Sequence, residues 1–144
     1  MAQDRNLQIL GLAKKAGLLS VGCEAAGAAA RSGKAELIIS ASDASERAHR
    51  NARINADVGY ASYAIVPYTK FDLGNVTGRG SPGTVAFLDK GLAAKFLQGL
   101  SQIQPEPFKE LWEFMEATID EKHKSENLTK PKSSTPSGKR RTTQ

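Results

Sequence analysis

The sequence predicts an α/β fold: a three-layer α/β/α sandwich built on a four-stranded sheet. Three observations predict it. Short apolar runs alternate with helical patterns through residues 1–98, the order expected of helices laid on a sheet. The runs, such as Leu37-Ile38-Ile39, are continuous, as in strands covered on both faces. The stretches between them are long enough, at roughly a dozen residues or more, to hold crossover helices.

Each element has its own signal. Leu7, Leu10 and Ala13, with Ile9, Leu12 and Ala16, recur at helical spacing up to Lys14-Lys15-Ala16-Gly17. Gly17 suits the position after a helix, and the two lysines suit its negative end. Residues 18–21 form a first short strand. A small-residue helix spans about 24–32 and stops at Gly33, and residues 37–40 read as a buried strand. Asp43 or Ser45 caps a third helix over about 46–56, which carries Arg47, Arg50 and Arg53. Residues 63–66 are a third strand, closed by Pro67. Thr69 caps a short helix over about 70–76, residues 78–83 are a flexible loop, and 84–88 are the fourth strand. Asp89 then caps a helix to about residue 97.

The character changes after residue 100. Pro107 suits the first position of a helix, and Phe108, Leu111, Trp112, Met115 and Ile119 follow at helical spacing, opposite an acidic face. That stripe is expected to fold back on the domain or to pack in a dimer, with docking of a partner as the alternative. Residues 125–144 have almost no apolar content and are expected to be disordered. The chain therefore divides into a domain over 1–100, an acidic amphipathic helix over 101–124 and a basic tail over 125–144.

Charge follows the same division. The net charge of +5 and pI of about 9.4 conceal a body of +4 over 1–98, a segment of −4 over 99–120 and a tail of +5 over 121–144. Basic surface favours polyanions through counterion release. No apolar run is long enough to span a membrane. The N-terminus lacks the apolar core of a secretory signal, and the single cysteine, Cys23, excludes an internal disulfide. A cytoplasmic protein is expected.

Motifs for catalysis are weak. Gly78, Gly80 and Gly83 spell G-x-G-x-x-G, but a helix precedes the run and a strand follows, the reverse of the dinucleotide-binding order. From Gly27 to Gly33-Lys34 the spacing is one residue too long for a phosphate-binding loop, and Ala35 replaces the required hydroxyl. His49 and His123 share no ligand spacing with a Cys or carboxylate cluster; His49 reads as helix surface and His123 as the end of the acidic helix. The expectation is a non-enzymatic protein with no cofactor and no metal.

The most informative spot is the turn Gly22-Cys23-Glu24, between the first strand and the second helix. The run LGLAKKAGLLSVGCEAAGAAARSGKAELIISASDAS at 10–45 and the run YAIVPYTKFDLGNVTGRGSPGTVAFLDKGLAAKF at 63–96 resemble the ribosomal protein L-seven-Ae / L-thirty-e superfamily. Within it they are most similar to the bacterial YlxQ-type, ribosomal-protein-like branch. The resemblance implies an α/β/α sandwich that binds kink-turn or other bent RNA through two features. One is the turn entering the second helix, often G-x-N-E-x-x-K in the family. The other is a loop before the last strand. Position by position, the turn falls on Gly22, Cys23 and Glu24, with Gly27 at the Lys position. The loop falls on 78–82, taking in Arg79, Gly80, Ser81 and Pro82.

The chemistry suits such a reader. Gly22 admits close backbone approach, amides at a helix start attract phosphate, and Glu24 can accept from the edge of an unstacked guanine. Lys14, Lys15, Arg31, Lys34 and Arg79 are the expected phosphate contacts. Cys23 lacks the paired donor and acceptor of an Asn amide, so weaker, shape-based binding or a different RNA target is expected. The functional expectation is a ribosome-associated RNA-binding protein acting in translation, as part of a ribonucleoprotein, without membrane contact. Its rival is a protein-interaction module that kept the fold and docks ribosomal or other proteins through Phe108, Leu111, Trp112, Met115 and Ile119.

Overall fold

The computed structural model describes residues 2–78 and 80–129, with side chains over 5–78 and 80–119. Four strands, β1 (Leu19–Val21), β2 (Leu37–Ser40), β3 (Ser62–Ile65) and β4 (Thr84–Phe87), form one sheet in the order β1-β4-β2-β3. β2 and β3 are parallel, whereas β4 is antiparallel to both of its neighbours. Six helices accompany them: α1 (Ala2–Lys15), α2 (Cys23–Arg31), α3 (Glu46–Val58), α4 (Lys70–Thr77), α5 (Lys90–Ile103) and α6 (Pro105–Thr129).

Two apolar clusters lie on opposite faces of the sheet. Leu37, Ile39, Val85 and Phe87 join Leu10 of α1, Leu73 of α4, Phe96 of α5 and Phe108 of α6. Ile38 and Ala86 point the other way, into an alanine layer made by Ala26 and Ala30 of α2 and by Ala52 and Ala56 of α3. This is the expected three-layer arrangement, and the period-two alternation of strand side chains produces it. Small residues on the α2/α3 side let those helices lie close to the sheet and to each other.

The caps match their sequence signals. Ser45 accepts from the Ala48 amide, Asp89 from the Leu92 amide, and Thr69 and Asp72 form a reciprocal capping box. Asp43, the alternative cap for α3, instead accepts from the backbone amide of Lys70 at 2.8 Å. α1, α2 and α3 end alike. The amide two residues past each cap returns to the carbonyl five residues earlier: Leu18 to Ala13, Lys34 to Ala29, Ala61 to Ala56. This closure needs a left-handed residue. Gly17 (φ 75°) and Gly33 (φ 81°) provide it for α1 and α2, but at α3 the residue is Tyr60 (φ 59°).

Three expectations are corrected. α5 does not end near residue 97 but runs to Ile103, because Leu97 and Leu100 continue its buried stripe. His49 is not a free surface residue: it is half-buried, with Nδ1 3.4 Å from the Tyr63 hydroxyl, which donates to Ser40 at 3.0 Å. The 108–119 stripe folds back on the domain, the first of the arrangements expected for it. Phe108 and Met115 are buried in the main core, and Leu111, Trp112 and Ile119 pack against it. α6 also runs past the expected end near 124, to Thr129. The rest of the basic tail, 130–144, lies outside the described residues.

Candidate nucleic-acid interface

Gly22 is the N-cap of α2, with φ 105° and ψ 151°. Only glycine occupies this region without strain. Its amide donates to the Thr84 carbonyl at 2.9 Å, which ties the turn to the start of β4. An added Cβ would meet nothing within 4 Å, so the space above the turn is open. No side chain caps α2, leaving its first amides and the positive end of its dipole available to an anion. Gly22→Ala should cost about 1–3 kcal/mol in thermal unfolding through backbone strain alone, since no clash adds to it.

Cys23 is exposed, with Sγ 3.4 Å from the Thr84 hydroxyl. Glu24, one residue on, is exposed as well. The second predicted loop reaches the same place. A Cβ on Gly83 would contact Ala44 at 3.4 Å and both Cys23 Sγ and Lys70 Cδ at 3.9 Å. The Gly83 carbonyl accepts from the Ala41 amide at 2.9 Å. Thus the turn at 22–24, the 41–45 loop, the start of α4 and the 80–83 loop meet at one end of the sheet. The cause is topological: β1, β2 and β3 all point the same way, so α2, α3 and α4 all begin there.

The predicted residues do not all gather at this end. Gly22, Cys23, Glu24, Gly80 and Ser81 do, and the last two are exposed. Pro82 is buried, so it braces the loop rather than presenting a surface. Arg79 lies outside the described residues. Lys14, Lys15, Arg31 and Lys34 sit at the opposite end of the sheet, where α1 and α2 finish. A helix of nine residues carries the chain about 12 Å from start to finish, which is why charge alone could not place them. Arg31 is linked to the turn through α2 itself. It shares an exposed line with Glu24 and Ala28, and its Nη1 donates to Asn55 Oδ1 at 3.3 Å.

Position 27 is closed. Gly27 is buried, and a Cβ there would lie 2.8 Å from Asn55 Nδ2 and 3.1 Å from Arg31 Nη1. A lysine in its place would have to displace Asn55. Gly27 therefore serves the α2/α3 contact, and the guanidinium of Arg31 folds back over it. The sequence reading also missed Lys70. Its backbone is fixed by Asp43 and its side chain runs past Gly83. The available signal was its place directly after the Thr69 cap, at the strand end where α2 also starts. Among the described residues no group of three His, Cys, Asp or Glu side chains is arranged to hold a metal. No described helix is long and apolar enough to cross a membrane.

No family model matches this sequence, and no curated protein does. Solved structures do. The fold is similar to that of a protein of unknown function from Bacillus halodurans C, with a TM-score of 0.60 and 24% identity over 67% of this chain and 96% of that one. It is also similar to the Giardia lamblia 15.5kD RNA binding protein, with a TM-score of 0.54 and 17% identity over 72% of this chain and 88% of the other. At these identities the likeness establishes the fold.

Proposed function

We propose that this chain is a non-catalytic RNA-binding protein of the L-seven-Ae / L-thirty-e kind. In this reading it grips a bent, kink-turn-like RNA at the sheet end where α2, α3 and α4 begin. One observation carries the reading: the uncapped, glycine-opened start of α2 lies directly against the 80–83 loop, although the two are some 60 residues apart in the chain. The fold shared with an RNA-binding protein supports it. In this mechanism the α2 amides hold a phosphate. Glu24 accepts from the exposed edge of a guanine, and Lys70 and Arg79 neutralise the flanking backbone. Cys23 offers a thiol beside the Thr84 hydroxyl, so base identity at that point is read loosely and the bend supplies the selectivity. The cellular setting that fits is a cytoplasmic, ribosome-associated one.

The test is a mobility-shift titration with a kink-turn RNA and fragments of ribosomal RNA at several salt concentrations. Affinity is expected to fall steeply with salt. Glu24→Ala should weaken binding roughly tenfold, in line with the loss of one good base contact. Lys70→Gln should lower both affinity and the salt slope, the latter by about 0.7–0.9. Absence of salt-sensitive binding to every probe sinks the proposal, as does binding untouched by Glu24→Ala and Lys70→Gln together.

A further inference from the structure

Position 27 is closed to a side chain, yet it borders open space. A recess of about 40 Å³ lies between α2 and α3, bounded by Cys23, Gly27, Asn51 and Asn55 and walled by alanines of both helices. Cys23 and Asn51 are exposed, so the recess opens to solvent. It exists because glycine and alanine fill little of the gap between the helices. The space is water-sized, so its mouth suits a small polar group and not a base.

The groups around the mouth are donors. Arg31 Nη1 donates to Asn55 Oδ1 at 3.3 Å, which leaves the Asn55 amide nitrogen facing Gly27. A Cβ built on Gly27 would lie 2.8 Å from that nitrogen and 3.1 Å from Arg31 Nη1, so amide and guanidinium meet across the helix seam. The bond to Asn55 uses one of the five guanidinium N–H groups. Neither the Asn55 nitrogen nor the Asn51 side chain has a hydrogen-bond partner among the described residues. Asn51 stands one helical turn before Asn55, on the same side of α3. The acids of α3, Glu46 and Asp57, lie roughly 120° or more around the helix from both asparagines. On α2, Glu24 is at the opposite end from Arg31.

A guanidinium fork and two unpaired amides around a small opening suit an oxyanion, and phosphate is the oxyanion that RNA supplies. The recess begins at Cys23, in the turn assigned to the RNA, and Arg31 stands about 12 Å further along α2. Resting on the RNA-binding function proposed above, we infer that Arg31, Asn55 and Asn51 form a second anion site, which holds one phosphodiester of the RNA strand leaving the turn.

The test is a mobility-shift titration with the kink-turn RNA over a range of salt. Arg31→Gln should weaken binding roughly tenfold and lower the salt slope by about 0.7–0.9, the share of one phosphate. Asn51→Asp, which sets a carboxylate at the mouth, should weaken binding as much while the melting temperature holds. Arg53→Gln removes the same charge from the opposite side of α3 and should leave the slope unchanged. Neutral methylphosphonates placed one at a time along the strand should reveal one linkage whose neutralisation weakens the wild type and not Arg31→Gln. A purely structural role at the α2/α3 contact cannot produce that pairing. An unchanged slope in Arg31→Gln, an equal fall in Arg53→Gln, or the absence of such a linkage overturns this site. The turn still stands in each case if Glu24→Ala weakens binding. A wild type without salt-sensitive binding overturns the turn, and this site with it.

Discussion

Gly59→Ala should lower stability by about 3 kcal/mol, and the melting temperature by roughly 10 °C for a chain of this size. The added methyl would lie 1.7 Å from the Ala30 carbonyl oxygen and 2.7 Å from its carbon. Both are backbone atoms in the last turn of α2, so no side chain can swing aside. Gly59 has φ −96°, which any residue adopts, so the cost is steric. α2 and α3 meet through Ala26, Ala30, Ala52 and Ala56, and a layer of methyl groups has no flexible part to absorb a shift. The helices must separate, which loosens the whole alanine face. Gly11→Ala in α1 is the control. Its nearest contact would be an ordinary 3.5 Å to the Val76 carbonyl, and alanine favours a helix by about 0.5–1 kcal/mol over glycine. Its melting temperature should hold or rise slightly. A Gly59→Ala protein melting with the wild type in circular dichroism would show that the α2/α3 contact yields freely.

Much of this architecture was readable because its signals are local. Leu37-Ile38-Ile39-Ser40 announced a buried strand, and Ser45, Thr69 and Asp89 marked helix starts that the structure reproduces. Strand order was not readable. That β4 inserts between β1 and β2 depends on how Val85 and Phe87 fill the large core while Ala86 faces the alanine layer. No short window of sequence contains that choice. The end of α5 was misplaced because Gln98, Ser101 and Gln102 look like a boundary, whereas Leu97 and Leu100 carry the buried stripe through it.

The site was legible in part. The meeting of the 22–24 turn with the 80–83 loop came from the family resemblance, since nothing in local spacing links Cys23 to Thr84. The cations were assigned by sign and not by place, and helix direction then divided them between the two ends of the sheet. Gly27 looked like a lost cation because its neighbour across the helix interface, Asn55, lies 28 residues further along the chain. The left-handed backbone at Tyr60 gave no signal at all. Gly59 beside it was the obvious left-handed residue, and only the close approach to Ala30 shows why the strained position fell one residue later.

Phe108→Ala should cost about 4 kcal/mol in urea unfolding, the largest effect expected of any single truncation in α6. Phe108 is 0% exposed and belongs to the cluster that holds Phe96, Leu97 and Leu100 of α5. Truncation would remove a ring from the first turns of α6 and leave a cavity against α5, which rigid helix backbones refill poorly. Phe114, on the same helix, is 62% exposed. Phe114→Ser should therefore change stability by no more than about 0.5 kcal/mol. The contrast separates two accounts of an acidic amphipathic helix. If the stripe existed to meet a partner, Phe108→Ala would be nearly silent in the isolated chain and would matter in a complex. If it completes the fold, Phe108 alone is costly, and its loss weakens α6 and the sheet in one transition. A Phe108→Ala protein within about 1 kcal/mol of wild type would return α6 to the role of a docking element. The burial of Phe108 and Met115 together predicts the opposite: an α6 that unfolds with the domain and shields the large core from solvent.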